Sequence, residues 1–436
     1  MIQYSEIRVH AKKSYAEKNF AEAASAFGEL WNASEYQDKS DGVNYARALR
    51  KSGRVTEALD VCRLVYQLDS TYEYNNSEYG WCAYELSIKQ TDEEIAADET
   101  AFFRAADFIV KMTRQSTYSP YERTVFRVLR YLKPHAKQRN FAQRMLDWTN
   151  KLDIEMLSTE PETFNREGEA EEGASAREKW YMHRSLALYE LREYQPCIET
   201  CERALDSFEK LHYGNHIWFK LRIANSKGYL GEPEAAIADL VQLSRFKQEW
   251  FIHRDLALWL QELGRCDEAY MHTISAALSH RKGDKLENKW ELFLLMGQLL
   301  AALGRNELAR QHILLAGKLR LEQQWKFTQE LTTIARNLGV DYQDARCGID
   351  LFNELQADWQ SQIPRLHGQI KMINSEREFG FITGDDKQDY HFRFREFRGS
   401  KTRLNRGLTV TFVTHASYDR IKDRESTIAV DIKEVN

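Results

Sequence analysis

Proline is scarce in this sequence. Six occur in 436 residues, at Pro120, Pro134, Pro161, Pro196, Pro233 and Pro364. A proline removes a backbone donor and clashes inside a helix, so this scarcity suits long helical stretches. Cysteine is equally sparse, at Cys62, Cys82, Cys197, Cys201, Cys266 and Cys347. No CxxC pair forms and no histidine falls at zinc-finger spacing. Cys197 and Cys201 lie one helical turn apart, which reads as two small buried residues on one face, with a metal half-site as the alternative. Scattered thiols of this kind suit a reducing cytoplasm, the expected location. No apolar run is long enough for a bilayer; the longest, Leu292 to Leu303, is interrupted by Gly297 and Gln298. The first twenty residues carry charges throughout and have no apolar core of a secretion signal. Walker, GxSxG and HExxH patterns are missing, as is any carboxylate pair at a recognisable spacing. The expectation is a non-enzymatic protein without cofactor, metal, membrane contact or small-molecule substrate.

What is present is a core-forming chain. Hydrophobic residues make up 43% and aromatics 12%, so this is no disordered composition. The length calls for two or three structural units. A net charge of −5 excludes a protein that coats nucleic acid along its whole surface, so any basic footprint must be local.

A phrase of small residues recurs along most of the chain. Ala11, Ala23 and Phe27 surround Lys18-Asn19-Phe20; Ala46, Leu49, Gly53, Ala58 and Cys62 follow. Ser185, Leu188, Arg192, Cys197 and Ala204 form a third copy, and Ala224, Gly231 and Ala236 a fourth. Ala257, Leu260, Gly264, Ala269 and Ala276, then Gly297, Leu300, Gly304, Ala309 and Ala316, complete six. Each copy reads as two short amphipathic helices joined by a tight turn, with small residues where the helix axes approach closely. Ala23 and Ala58 are 35 apart, and positions 197, 236, 269 and 309 are spaced by 39, 33 and 40. The phrase resembles the tetratricopeptide repeat, whose period is about 34. Between 77 and 155 the pattern stays helical while the small-residue signals fade, which suggests divergent hairpins.

The expected organisation is N-terminal helical repeats over 1–157, an acidic flexible linker or loop over 158–175 (STEPETFNREGEAEEGAS), and further repeats with capping helices over 176–360. From 366 the period changes to alternation. Strands are expected at Gly368–Ile373, Phe379–Gly384, Asp389–Phe394, Leu408–Thr414 and Thr427–Glu434. The fold class is thus a multidomain one, an all-α helical-hairpin solenoid plus a small five-stranded all-β barrel of the oligonucleotide-binding (OB) type.

Residues 366–436 resemble the cold-shock domain. Gly368-x-Ile370-Lys371-x-x-Asn374 matches that family's first strand, and Arg377-Glu-Phe379-Gly380-Phe381-Ile382 its first nucleic-acid-binding motif. Asp389-Tyr-His391-Phe-Arg393-Phe394 stands at the second motif; Leu404-x-x-Gly407-x-x-Val410-x-Phe412 and Ala429-Val-Asp-Ile432 match later strands. The resemblance implies binding of single-stranded RNA or DNA by Lys371, Arg377, Phe379, Phe381, His391, Arg393 and Phe394. It departs from the family at Met372, where a tryptophan is usual, at Ile373, where an aromatic is usual, and at His391 and Arg393, where Phe and His are usual. Physical reasoning on the strands agrees in part. Phe379 and Phe381, two apart, project from one face, and so do His391 and Arg393 on the next strand. Flat rings stack on bases while cations hold phosphates. The opposite faces supply Ile370, Ile382, Tyr390, Phe392 and Phe412 for an interior. The alternative is that both phenylalanines are core. Beyond residue 366 thirteen Lys/Arg face eleven Asp/Glu, most basic over Arg393–Arg406.

Stacked hairpins leave a concave groove that holds a peptide or helix, here a protein partner whose identity the sequence does not give. Trp218, Asn225, Phe251 and Arg254 are the expected contacts. A carboxylate clamp of the repeat family is not supported, because Leu221 stands where its lysine would be. The leading expectation is an adaptor joining a protein partner to single-stranded nucleic acid. The alternatives are a scaffold whose barrel contacts protein instead, and a regulatory subunit of a nucleic-acid-processing enzyme.

Overall fold

The computed structural model describes residues 2–33, 38–166, 169–247, 249–279, 284–419 and 424–435. They form two compact units, Met1–Phe219 and Lys220–Asn436. The first holds α1 (Ile2–Ala16), α2 (Phe20–Ala33), α3 (Lys39–Lys51), α4 (Val55–Leu68), and α5 (Glu73–Ala83), which one π-helical turn extends to Ile88. Next come α6 (Asp92–Ala97), α7 (Glu99–Met112), α8 (Pro120–Leu132), α9 (Arg139–Thr149), β1 (Glu162–Arg166), β2 (Glu169–Gly173), α10 (Ala176–Glu190) and α11 (Tyr194–Ser207). Helix α12 (Asn215–Tyr229) carries the boundary between the units. The second unit continues with α13 (Pro233–Phe246), α14 (Trp250–Glu262), α15 (Cys266–Leu278), α16 (Trp290–Ala302), α17 (Asn306–Glu322), α18 (Gln329–Leu338) and α19 (Gly348–Gln362). It ends in β3 (Leu366–Asn374), β4 (Phe379–Gly384), β5 (Asp389–Arg393), β6 (Thr409–Asp419) and β7 (Arg424–Glu434).

The six sequence copies are the hairpins α1/α2, α3/α4, α10/α11, α12/α13, α14/α15 and α16/α17. One turn closes all of them. A residue with positive φ follows the first helix: Gly53, Gly231, Gly264 and Gly304, with Lys18 and Arg192 in the other two. The next residue sends its N–H to the carbonyl five positions back, as in Asn19→Ser14, Glu193→Leu188 and Arg265→Leu260. This is the Schellman arrangement, which satisfies carbonyls left open at a helix end. The crossing itself admits only small side chains: Ala46, Ser185, Ala224 and Ala257 on first helices, and Ala58, Cys197, Ala236 and Ala269 on second ones, are fully buried. At Gly297 a Cβ would lie 2.4 Å from Ile313 Cδ1, so even alanine overpacks that crossing.

The segment 158–175 was expected as an acidic flexible linker or loop. It carries the antiparallel hairpin β1/β2, with Glu162 opposite Gly173 and Phe164 opposite Glu171. Two of its acids are ion-paired, Glu162 with Lys179 at 2.5 Å and Glu172 with Lys210 at 2.9 Å. Gly173 sits under Phe164 and Tyr213, where a Cβ would lie 2.8 Å from Phe164 Cε1 and 2.5 Å from the Tyr213 hydroxyl oxygen. The barrel lies in the same compact unit as the last repeats.

Strand order in the closed barrel is β3-β4-β5-β7-β6, with β5 and β7 parallel and the other pairs antiparallel. Ile370, Ile382, Tyr390, Phe392, Phe394, Phe397, Val410, Phe412, Ala429 and Ile432 fill it. Its leash is anchored at both ends. Trp359 of α19 is fully buried, stacked on Phe293 at 5.8 Å and donating to His312 Nε2 at 2.9 Å. Arg365, just before β3, bonds Thr411 Oγ1 at 3.2 Å and Asp431 Oδ2 at 2.6 Å.

Two predictions follow from this frame. Arg192 holds a left-handed conformation that disfavours a Cβ, so Arg192→Gly should stabilise the first unit by about 0.5–1 kcal/mol, while Gly264→Ala should destabilise the second by about 1 kcal/mol, both read from urea melts. The second concerns His312, whose Nδ1–H donates to the Leu308 carbonyl at 2.7 Å, leaving Nε2 to accept from Trp359. This fixes a neutral ring, and burial pushes its pKa down to about 4. Its contribution is complete above the unfolded value near 6.5 and is lost as pH falls toward 4, because only the unfolded chain then takes the proton. From pH 7 to 5 the loss is about 2 kcal/mol. His312→Gln should remove that part of the pH dependence.

Candidate nucleic-acid interface

Register builds the site. Phe379 lies opposite Arg393 and Phe381 opposite His391, while Met372 and Asn374 of β3 lie opposite Phe381 and Phe379. Alternation turns all six outward, and turns Ile382, Tyr390 and Phe392 inward. The rings touch one another. Phe379 and Phe381 meet edge to face at 6.1 Å, and each lies 5.4 Å from His391. All three are half-buried, Met372 is 41% exposed and Arg393 is exposed. Gly380 makes the layer possible, since a Cβ there would lie 2.6 Å from Phe392 Cε1 and 2.7 Å from the Met372 carbonyl. The arrangement is an aromatic floor that can take a flat ring against it.

The cations around this floor divide into two groups. Lys371 reaches Asp389 at 2.5 Å, and that bond, with a second from Thr383, holds the Asp389 carboxyl below its ordinary range. Lys401 pairs with Glu378, Arg395 with Glu396, Arg398 with Asp431 and Arg403 with Glu434. Arg377 and Arg393 have no acidic partner among the described residues. Both flank Phe379, Arg377 across the β3–β4 turn, where its backbone N–H donates to Asn374 Oδ1 at 3.0 Å. Free positive charge therefore collects at the Phe379 end of the floor. The Thr383 end carries Asp385, Asp386 and Asp389.

Of the residues expected at a nucleic-acid face, Arg377, Phe379, Phe381, His391 and Arg393 come together, and Lys371 joins them at the acidic end. Phe394 does not. It has the inward parity of Tyr390 and Phe392, one residue past the strand end at Arg393, where a 3-10 turn, Phe394–Glu396, begins. Phe394 is 7% exposed and packs beside Phe392 at 6.2 Å. Met372 and Asn374 were missed as members because a bulge between Ile370 and Met372 resets which β3 residues face out. The available signal was the family resemblance, which sets Met372 where a tryptophan is usual.

On the array, Asn225 is also corrected. It is 6% exposed, donates to Asp255 Oδ2 at 2.7 Å and accepts from Trp259 Nε1 at 2.8 Å. Its polar atoms join α12 to α14 and are not offered to a ligand. Arg254 is half-buried against Asp255 and Glu291, Phe251 is half-buried, and Trp218 is 38% exposed. Among the described residues no group of His, Cys, Asp and Glu could hold a metal, and no helix is long and apolar enough to cross a membrane.

Comparison with known proteins yields fold-level likeness only. No family profile and no curated protein matches the chain. Among solved structures, a tetratricopeptide repeat protein from Parabacteroides merdae is 11% identical, with 68% of this chain and 99% of that chain covered, at a TM-score of 0.31. The structure of Naa15/Naa10 bound to HypK-THB is 12% identical over 83% of this chain, at a TM-score of 0.42; this chain spans 51% of the matched one. A human IFIT1 dimer with m7Gppp-AAAA is 13% identical, covering 75% of this chain and 70% of that one, at a TM-score of 0.36.

The two aromatic roles are separable by experiment. Phe394→Ala should destabilise the barrel by about 3–5 kcal/mol through loss of core packing. Phe379→Ala, at a half-exposed ring, should change stability by about 1 kcal/mol or less. Urea melts of the full chain followed by near-ultraviolet circular dichroism distinguish them.

Proposed function

We propose that this protein is a non-enzymatic adaptor that binds single-stranded RNA or DNA on the outer face of its barrel and a protein partner on its helical hairpins. One observation carries the nucleic-acid part. Phe379, Phe381 and His391 form a contiguous outward floor with two uncommitted arginines at one end. Bases stack on such a floor with little regard to sequence, and the arginines take the phosphates. The strand order of the barrel and the Phe379-Gly380-Phe381 pattern support kinship with cold-shock domains of the OB type. Few free cations surround the floor, so binding should be modest and strongly salt-dependent. The protein part rests on the repeated hairpins, which present adjacent helices to a partner. The ion-paired state of Lys371, Lys401, Arg398 and Arg403 favours a second reading, in which the barrel face contacts protein.

Fluorescence titration with short labelled single strands tests the proposal. Wild-type chain should bind at low salt. Changing both Phe379 and Phe381 to Ala should weaken binding by about 2–4 kcal/mol in sum, without unfolding. Arg393→Ala should lower the salt slope by about 1, and Lys371→Ala should do less, because Lys371 must first leave Asp389. Wild-type protein that ignores RNA and DNA strands at low salt would reject the nucleic-acid reading and promote the protein contact.

A further inference from the structure

The aromatic floor ends against a carboxylate of its own strand. Along β4 the outward row runs Phe379, Phe381, Thr383, and β5 sets Arg393, His391 and Asp389 opposite them. Asp389 therefore stands one outward step beyond the His391 ring, in the same row. Both of its oxygens are taken. Thr383 Oγ1 donates to Oδ1 at 2.7 Å, and Lys371 Nζ donates to Oδ2 at 2.5 Å. Lys371 reaches it from the bulge of β3, between Ile370 and Met372. The bond from Lys371, then that from Thr383, holds the carboxyl below its ordinary range, so it is ionised at neutral pH.

An ammonium and a hydroxyl converging on two oxygens of one anion are also the donors that a nucleic-acid phosphate takes. Asp389 fills that position with a charge of the same sign. The other acids nearby are placed differently. Asp386 accepts from the Tyr390 hydroxyl and from the Gln388 N–H. Glu378, which takes Lys401 at 2.9 Å, belongs to the β3–β4 turn and not to the rows of the face. Lys371 and Asp389 are both exposed, at 54% and 41% of their side chains, so water screens the pair and a stronger anion can displace it.

We propose that Asp389 is a built-in competitor for phosphate: it occupies the Lys371 and Thr383 donors at one end of the floor and confines the grip on a strand's backbone to Arg377 and Arg393 at the other. The proposal rests on the nucleic-acid reading and says what sets the affinity of that face. The competitor is part of the chain, so it is present at every ligand concentration. A strand that runs past His391 leaves its next phosphate unheld, or takes Lys371 from Asp389 and lies beside a like charge. Removing the carboxylate charge frees Lys371 and ends the repulsion together.

Fluorescence titration of short labelled RNA and DNA strands with the full chain, over a range of salt, tests this. Asp389→Asn should bind about three- to tenfold tighter than wild type at low salt. Its salt dependence should steepen by about 0.7, the increment for one more phosphate neutralised on a single strand. Lys371→Ala should cost about twofold or less in the wild-type background and about three- to tenfold in the Asp389→Asn background. That non-additivity separates release of Lys371 from a general loss of negative charge. Glu57→Gln, an equal change of net charge on α4 of the first unit, should leave affinity and slope as they are. Wild-type binding that Asp389→Asn leaves unchanged overturns the proposal and leaves the nucleic-acid reading standing. So does a Lys371→Ala effect that is the same in both backgrounds, or an equal gain from Glu57→Gln. If neither wild type nor Asp389→Asn binds either kind of strand at low salt, the nucleic-acid reading falls and this proposal with it.

Discussion

A small closed barrel has room for one set of side chains, and the rest of this molecule's chemistry depends on that limit. Ile370, Ile382, Tyr390, Phe392, Phe394, Val410, Phe412 and Ile432 already occupy the interior. Successive residues on a strand face opposite ways, so Phe379 and Phe381 can only face outward. Outward phenylalanines contribute little to folding. Here they sit against His391 and beside two arginines without an acidic partner among the described residues, the basis of the proposed stacking surface. Gly380 belongs to the same constraint, because its missing side chain lets Phe392 press up under the floor.

The array holds that floor in place. Its hairpins share one left-handed turn and one close crossing of small residues. The last helix is fastened by Trp359 against Phe293 and His312, and Arg365 ties the following backbone to β6 and β7. The β6 side of the barrel lies on α13. The face of β3, β4 and β5 is the one that displays the rings. A shared mode of attachment thus decides which barrel surface is covered and which carries the candidate chemistry.

Much of this was legible in the residues. The six hairpins fall where the small residues recur, because close helix crossings tolerate little else. The five strands fall where alternation replaces the helical period, within a few residues, though β6 and β7 run longer than expected. The floor itself was legible because a two-residue spacing fixes a face. Other features needed the structure. The β1/β2 hairpin hid behind its charge, since the pairing of Glu162 with Lys179 and of Glu172 with Lys210 is set by the fold and not by composition. Phe394 came to the face only through the family resemblance, whereas its parity with Tyr390 and Phe392 already turned it inward. Asn225 looked like a groove contact, while its partners Trp259 and Asp255 lie a full repeat away. The bulge in β3, which brings out Met372, leaves no mark in composition. Nor does sequence say which of thirteen cations are already neutralised.

The central claim is that the face of β4 and β5 holds bases. Photo-crosslinking of a single strand bearing a photoreactive base to the full chain, followed by mass-spectrometric mapping, tests it most directly. Crosslinks should fall on the peptides that carry Phe379, Phe381 and His391, and should fade as salt rises. Crosslinks confined to the helical hairpins, or none at low salt, would contradict it.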